Sequence, residues 1–210
     1  MFGYKRILLV LVNLICLGSY AQSIAELFKS GKEQFGIGNY QSALDKFDNA
    51  IKANPSEKEV CFYAGLAAYN LKDYTKAVGY FSQEIKNDEQ NPLAYIYRAK
   101  ANNIDFDAAL KDLKKAETLS TNKNFMVYQE MANLYYSHAM YKKAFKANSY
   151  LLELKPGFEE AYYKMGFCKY YLKDTTAACA YWKKIDDLDD FAEYELIEKT
   201  INSTNQNHKL

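Results

Sequence analysis

The residues that could do chemistry are few and stand far apart. The 210-residue chain has two histidines, His138 and His208, and neither lies in a metal-binding spacing such as HExxH. The sequence has no glycine-rich phosphate loop. The acidic cluster 186–190 lacks the glycine and distal glutamate of a calcium loop, so we interpret it as capping a helix. We therefore predict no catalytic residue, no cofactor, no metal site and no small-molecule substrate.

The cysteines leave one structural choice open. Cys168 and Cys179 flank a turn and should lie roughly opposite each other on antiparallel helices. In an oxidising compartment they could form a disulfide. The alternative is that both are buried thiols in small pockets.

The composition favours helices and argues against a nucleic-acid partner. Leucine, alanine, tyrosine and lysine are plentiful, whereas the chain has only 3 prolines and 9 glycines. The net charge is +1 at pH 7, so no basic excess attracts nucleic acid. The chain is long enough for one continuous hydrophobic core.

The N-terminus resembles an export signal. A short basic pair precedes the apolar run 7–17, which is too short for the roughly 20 residues of a membrane helix. Ser19 and Ala21 are the small residues that a signal peptidase reads. We expect a signal peptide over 1–21, cleavage after Ala21, and a periplasmic or cell-envelope location.

Cys16 raises a second hypothesis for the same segment, in which a lipid is attached to it after cleavage. The residue before it is the bulky Ile15, where that processing site requires a small residue. The lipoprotein hypothesis is therefore disfavoured.

The rest of the chain is organised by a repeat that begins in the stretch 31–55. Shifting this stretch by 34 residues reproduces its pattern of small and aromatic residues, and self-similarity at a fixed period indicates a solenoid. The matching pairs are Gly31 and Gly65, Phe35 and Tyr69, Tyr40 and Tyr74, Ala43 and Ala77, and Phe47 and Phe81.

Five units follow this register, each predicted to be two antiparallel helices joined by a turn. The third unit is two residues short around 102–104, which should shorten or distort its turn. A final helix with a polar tail, 191–210, should cover the last unit, as solenoids require. The predicted units run over 24–57, 58–91, 92–123, 125–158 and 159–190.

Small residues should mark the close contact between the two helices of each unit. Glycine or alanine recurs in every first helix, and an alanine that we expect to face it recurs in every second helix. The predicted repeat-packing residues are Gly31, Gly65, Ala99, Ala132 and Gly166, which should face Ala43, Ala77, Ala109, Ala144 and Ala178 respectively.

This order of small residue, aromatic residue, alanine and proline resembles the tetratricopeptide repeat family. The resemblance covers 24–190. It implies an all-α fold, a right-handed α-solenoid of about five helix pairs with a C-terminal capping helix. It also implies that the first helices line a concave groove that holds a peptide or helix of a partner protein.

With Phe35, Tyr69, Tyr136 and Tyr170 included, eight of the family's fourteen groove positions fall on aromatic residues of this chain. Several of these rings, including Phe28, Phe62, Tyr163 and Phe167, could instead pack between repeats. Family members that bind a C-terminal carboxylate use lysine and asparagine here, and only Lys32, Lys100 and Asn133 match, so that ligand is disfavoured. The candidate groove residues are Phe28, Lys32, Phe62, Leu66, Ile96, Lys100, Gln129, Asn133, Tyr163 and Phe167.

The resemblance implies a non-catalytic protein–protein interaction scaffold or adaptor in the cell envelope. The alternative is an accessory subunit of an envelope biogenesis or secretion complex. Either role implies a protein or peptide partner, through which the chain could associate with a membrane.

Overall fold

The computed structural model of the protein describes residues 24–120, 123–185 and 194–207, and all regular structure in these ranges is helical. This confirms the predicted all-α class. The described ranges contain eleven helices. They are α1 (24–36), α2 (Tyr40–Ala53), α3 (Val60–Asn70), α4 (Tyr74–Asn87), α5 (Pro92–Ala101), α6 (Phe106–Leu119), α7 (Phe125–Ser137), α8 (Tyr141–Leu154), α9 (Glu159–Tyr171), α10 (Thr175–Trp182) and α11 (Tyr194–Asn207).

Some sequence-based predictions concern residues outside the described ranges. These are the signal peptide over 1–21 with the lipidation alternative at Cys16, the acidic cluster 186–190, and His208. Within the ranges that are described, no helix combines the length and the apolar character needed to cross a membrane.

The chain divides into two compact units between Asn102 and Asn103. The first unit contains α1 to α5, and α3 packs there against α2, α4 and α5. The second contains α6 to α11. In it, α7 packs against α6 and α8, α9 packs against α8 and α10, and α10 packs against α11. Contacts between successive helices are the expected pattern of a solenoid.

In three of the five helix pairs, a glycine of the first helix lies directly against an aromatic ring of the second. A Cβ atom placed on Gly65 would lie 2.7 Å from Cδ1 of Phe81, a distance that real side chains do not tolerate. The three rings that lie against glycines are all fully buried. The pairs are Gly31 with Phe47, Gly65 with Phe81, and Gly166 with Trp182.

The ring contact corrects one detail of the sequence-based interpretation. All ten predicted repeat-packing residues are buried, but the side chain nearest to Gly65 is Phe81 rather than Ala77. The glycine accommodates a bulky ring instead of a small alanine. In the fourth repeat, Ala132 occupies the glycine position, and the buried Asn148 occupies the ring position.

The turns inside four of the helix pairs share one backbone conformation. A left-handed residue follows the first helix in each: Gly38 (φ 80°), Lys72 (φ 63°), Ala139 (φ 56°) and Lys173 (φ 66°). In the second pair the N–H of residue 73 donates to the carbonyl of Ala68 at 3.0 Å, and the N–H of Lys72 donates to that of Tyr69 at 2.9 Å. Such paired bonds satisfy the last carbonyls of a helix.

The third turn is distorted rather than shortened, which is one of the two outcomes predicted from its two missing residues. Residues 102–105 form a four-residue turn, whereas 71–73 form the three-residue turn of the second pair. The deletion shortens helix α5 instead. Helix α5 has 10 residues, whereas α7 and α9 have 13 each. None of residues 102–105 adopts a positive φ, so this turn is built differently from the other four.

The predicted C-terminal capping helix is α11. Its Ile197 is fully buried and belongs to a cluster with Trp182 and Ile185 at the end of the last helix pair. Ile201 packs against the same cluster. Helix α11 therefore covers apolar surface that the last repeat would otherwise expose.

The glycine–ring contact makes a direct prediction for Gly65→Ala. The added methyl group has no room against Phe81, so we expect the free energy of unfolding to fall by about 1–3 kcal/mol. Urea unfolding monitored by circular dichroism measures the change. Gly79→Ala is the matched control: no atom lies within 4 Å of a Cβ built on Gly79 in helix α4, so this change should stabilise the protein by about 0.5–1 kcal/mol.

A second change tests whether the ring causes the loss. Phe81→Leu shrinks the side chain that the new methyl group meets, so Gly65→Ala should cost less in that background than in the wild type. A Gly65→Ala variant as stable as the wild type would contradict the proposed contact.

Candidate partner-binding groove

The first helices of the first unit present an apolar surface with a positive charge. We call Phe28, Lys32, Phe62, Tyr63 and Leu66 the aromatic surface. Lys32 is exposed and the other four are half-buried. These four pack against the hydrophobic core of the unit while part of each side chain stays accessible. Apolar and aromatic groups of this kind are the usual anchors of protein interfaces.

Lys32 lies over the rings rather than beside a carboxylate. Its Nζ atom is 4.4 Å from the centroid of the Phe28 ring and 5.7 Å from that of Tyr63. Both distances fall within the roughly 6 Å reach of a cation–π interaction. The aromatic surface thus carries a positive charge held by ring faces.

Tyr63 is a residue that sequence reasoning missed. Its ring centroid lies 5.5 Å from that of Phe28, 6.0 Å from that of Phe47 and 5.9 Å from that of Phe62, so it connects α3 with α1 and α2. The family's groove positions on α3 fall on residues 62, 66 and 69 instead. A usable signal existed, because Tyr97 stands 34 residues after Tyr63, and its ring also packs on Phe62 at 5.7 Å.

The second unit carries a polar network where the first unit has rings. Lys164 Nζ donates to Glu160 Oε1 at 2.6 Å and to Asn133 Oδ1. Asn133 Nδ2 donates to Glu130 Oε2 at 3.2 Å, and Gln129 Nε2 donates to Glu160 Oε2 at 3.4 Å. Hydrogen bonds within the chain therefore occupy the side chains of Gln129 and Asn133.

Two predicted groove residues are buried and do not line an accessible surface. Phe167 is only 2% exposed, and its ring centroid lies 5.0 Å from those of Trp182 and Tyr163. Ile96 is fully buried. It is one of five buried residues among the ten of α5. The prediction of groove contacts was wrong for these two positions.

The remaining predicted positions keep accessible surface. Tyr163 is half-buried, and its backbone carbonyl accepts a hydrogen bond from Trp182 Nε1 at 3.2 Å. Lys100 is half-buried with its Nζ 5.6 Å from the Tyr69 ring centroid. Since the Asn133 amide uses both its oxygen and its nitrogen within the chain, it is poorly suited to hold a ligand carboxylate.

The chemistry-bearing residues form no catalytic arrangement in the described ranges. His138 is half-buried, its Nδ1 lies 3.0 Å from the carbonyl oxygen of Leu134, and its ring packs on Phe106. No group of three or more possible metal ligands occurs among the described residues. Cys168 and Cys179 are buried thiols, and the disulfide alternative is not formed. Burial raises the pKa of the Cys168 thiol to about 12.

A buried carboxyl group lies beneath the helix that carries Phe62. Glu84 is 2% exposed, and its Oε1 accepts a hydrogen bond from Asn91 Nδ2 at 3.2 Å, while its Oε2 has no hydrogen-bond partner. Burial raises the pKa of Glu84, although the hydrogen bonds from Asn91 and from the Phe62 backbone act in the opposite direction. In the first repeat, Ala50 stands at the same register position.

The comparison with protein families agrees with this geometry. Residues 28–92 and 160–187 match models described as tetratricopeptide repeat. The chain is a tetratricopeptide repeat protein. The matched stretches contain all three glycine–ring contacts.

Two curated relatives carry the same family name. This tetratricopeptide repeat protein is 27% identical over 172 residues to human Tetratricopeptide repeat protein 6, covering 78% of this chain and 32% of the relative. It is 22% identical over 204 residues to TPR repeat-containing protein MJ1428 of Methanocaldococcus jannaschii, covering 88% and 35%. The chain thus spans about a third of the length of each relative.

Solved structures of low sequence identity share the fold. The crystal structure of MamA protein superposes with a TM-score of 0.70 at 23% identity, covering 78% of this chain and 90% of that one. YrrB, described as a TPR protein with an unusual peptide-binding site, gives 0.67 at 17% identity, covering 86% and 97%. The first TPR of Spaghetti (RPAP3), bound to the HSP90 peptide SRMEEVD, gives 0.53 at 22% identity, covering 56% and 94%.

The raised pKa of Glu84 predicts a pH-dependent effect of Glu84→Gln in this tetratricopeptide repeat protein. Above its ordinary pKa of 4.5, the carboxyl group ionises more readily in the unfolded chain than in the folded one. This lowers the stability of the wild type as the pH rises. Glutamine keeps an oxygen acceptor for Asn91 and carries no charge, so the variant should be the more stable protein at neutral pH.

Urea unfolding between pH 4.5 and pH 8 measures the difference, which should grow with pH and nearly vanish at the acidic end. Glu153→Gln at an exposed position controls for the loss of one negative charge. A difference that is constant over this range, or a wild type that is the more stable protein at pH 8, would contradict the assignment.

Proposed function

We propose that this protein is a non-catalytic interaction scaffold that binds an apolar peptide or amphipathic helix of a partner protein at its aromatic surface. The observation that carries the proposal is the half-buried row of Phe28, Phe62, Tyr63 and Leu66 with Lys32 above it. Aromatic anchors of this kind supply most of the binding free energy of protein interfaces. A helix that lays its apolar face into such a groove is a recurring recognition mode.

The fold and its relatives support this role at the level of protein binding. The peptide-binding site named for YrrB and the bound HSP90 peptide of the Spaghetti repeat are properties of those proteins. They support peptide binding as a role for repeats of this fold. We propose that this chain does so with an apolar ligand, because the aromatic surface offers few charges and Asn133 is occupied within the chain.

We also propose that the protein is exported and acts in the cell envelope. The support is the N-terminal sequence alone, in which a basic pair, the apolar run 7–17 and the small residues Ser19 and Ala21 follow in the order of a signal peptide. The partner would then be an envelope or secreted protein.

Site-directed photocrosslinking tests the aromatic surface. With a photoreactive phenylalanine analogue at position 32 or at position 66, we expect one and the same partner to be captured in the native compartment. Neither position requires a fully buried side chain to be replaced. Lys52, an exposed residue on α2, is the matched control and should capture little.

Failure to capture a protein at either position, or equal capture at position 52, would contradict the groove assignment. Recovery of a stable multi-subunit assembly instead of a single partner would favour the role of an accessory subunit in an envelope complex.

Export makes a separate prediction for the N-terminus. Protein purified from the envelope fraction of its host should begin at Gln22, because cleavage is expected after Ala21. N-terminal sequencing checks this. Replacing both Ser19 and Ala21 by arginine should leave the full-length chain uncleaved. A wild-type chain that keeps Met1 and stays outside the envelope would contradict the proposed export.

A further inference from the structure

A cavity of about 200 Å³ lies in the second unit among α6, α7 and α8. On α7, its lining residues are spaced three and four apart and so share one helix face, which differs from the face of Gln129 and Asn133. We call this cavity the tyrosine pocket. It is lined by Glu117, Tyr128, Met131, Tyr135, Lys143, Lys146, Ala147 and Tyr150.

Three phenol rings form much of the lining of the tyrosine pocket. The ring centroids of Tyr128 and Tyr150 lie 5.6 Å apart. The hydroxyl of Tyr128 donates to Glu117 Oε1 at 2.8 Å. Burial, together with this hydrogen bond to Glu117, raises the pKa of Tyr128 to about 12, so the phenol stays protonated and keeps donating to Glu117 at neutral pH. This hydrogen bond already engages the one acidic side chain of the lining.

Two lysines give the pocket an excess of positive charge. Lys143 Nζ lies 5.6 Å from the ring centroid of Tyr135, and Lys146 Nζ lies 5.7 Å from that of Tyr150. Both lysines are exposed, and among the described residues neither forms a salt bridge. With Glu117 as the only acidic side chain, the lining has a net charge of +1.

The volume of the tyrosine pocket favours a side chain over a free small molecule. Pockets for small molecules and cofactors usually measure about 300–1,000 Å³. A cavity of about 200 Å³ lies below that range and suits a single large side chain of a peptide. The aromatic rings and Met131 supply an apolar contact area, and the two ammonium groups stand at its edge for a carboxylate.

We propose that the tyrosine pocket is a second binding site, separate from the aromatic surface, for an acidic peptide segment of a partner protein. An aromatic or large aliphatic side chain of the segment enters the pocket and packs on the rings of Tyr128, Tyr135 and Tyr150. A neighbouring aspartate or glutamate pairs with Lys143 and Lys146. Opposite charges that meet at a partly exposed site contribute to specificity and association rate as well as to affinity.

A further cavity, of about 440 Å³ in the first unit, does not define a ligand in this way. It is lined mainly by apolar and small groups, among them Ile51, Pro55 and Gly79. Its one charged side chain is Lys76, which already pairs with Asp73 at 3.1 Å. Of these two cavities, the tyrosine pocket is therefore the one whose charge favours a particular class of ligand.

Selection from a phage library of random dodecapeptides against the whole protein tests the proposal. We expect the recovered peptides to contain aspartate or glutamate next to an aromatic or large aliphatic residue. The best peptide is then synthesised with a fluorescent label, and its affinity is measured by fluorescence anisotropy. It should bind at least about tenfold more weakly to a Lys143→Glu, Lys146→Glu double variant, and its binding should weaken as salt is added.

Two controls separate this site from the aromatic surface and from misfolding. Lys32→Glu reverses an exposed charge in the first unit and should leave the affinity unchanged. Because Lys143 and Lys146 are exposed, the double variant should melt like the wild type by circular dichroism. Tyr150→Ala, which removes one wall of the pocket, should weaken binding severalfold.

Recovery of no peptide, recovery of peptides without acidic residues, or equal affinity for the wild type and the double variant would each overturn the proposal. A peptide that loses affinity with Lys32→Glu and keeps it with the double variant would overturn it as well, and would support the aromatic surface instead.

Discussion

The close approach of a ring to a glycine backbone is the contact on which three of the five helix pairs depend. Phe47, Phe81 and Trp182 each fill the space that a side chain on Gly31, Gly65 or Gly166 would need. The glycine lets the two helix axes approach, and the ring supplies the buried apolar area that holds them there. Where Ala132 replaces glycine, the ring gives way to Asn148, whose Nδ2 donates to the Ala144 carbonyl at 3.0 Å. The residue at the glycine position of the first helix and the residue at the ring position of the second helix therefore depend on each other.

The first helices of the two units present surfaces of different chemistry. At one register position of the first helices, the first unit carries Lys29, Tyr63 and Tyr97, and the second unit carries Glu130 and Lys164. The tyrosines join a layer of rings, whereas the charged pair joins a network of hydrogen bonds. Because the backbone scaffold is set by glycine and ring contacts elsewhere, this position is available for recognition. The two tyrosines also contribute to the fold, because both pack against the core of the first unit.

The sequence predicted the helices and their small residues because both follow from a period. Gly65 and Ala77 are buried as expected, and α11 covers the last repeat. The period does not predict which residues contact each other across a helix pair. We expected Ala77 to face Gly65, but Phe81 lies against it. Accessibility was equally hidden. Phe167 and Phe62 are both phenylalanines on first helices that were expected to line the groove. Trp182 packs against Phe167, which is buried, whereas Phe62 is half-buried.

The third turn shows a further limit of reading a repeat from its period. The deletion of two residues was expected to shorten or distort the turn. The turn is distorted and one residue longer, and the shortening falls on α5. Local backbone preferences decide which residues leave a helix. The pocket among α6, α7 and α8 was also beyond reach, since its lining comes from three helices whose relative positions a single sequence does not state.

The position of Trp182 gives the protein an intrinsic optical probe. It is the only tryptophan in the chain, it is fully buried, and it shares a cluster with Ile197 of α11. Indole emission depends on the polarity around the ring, so its wavelength reports whether the terminal helix is docked. Light absorbed by the many tyrosines can be transferred to this one indole. The far end of the solenoid can thus be monitored in solution without attaching a dye.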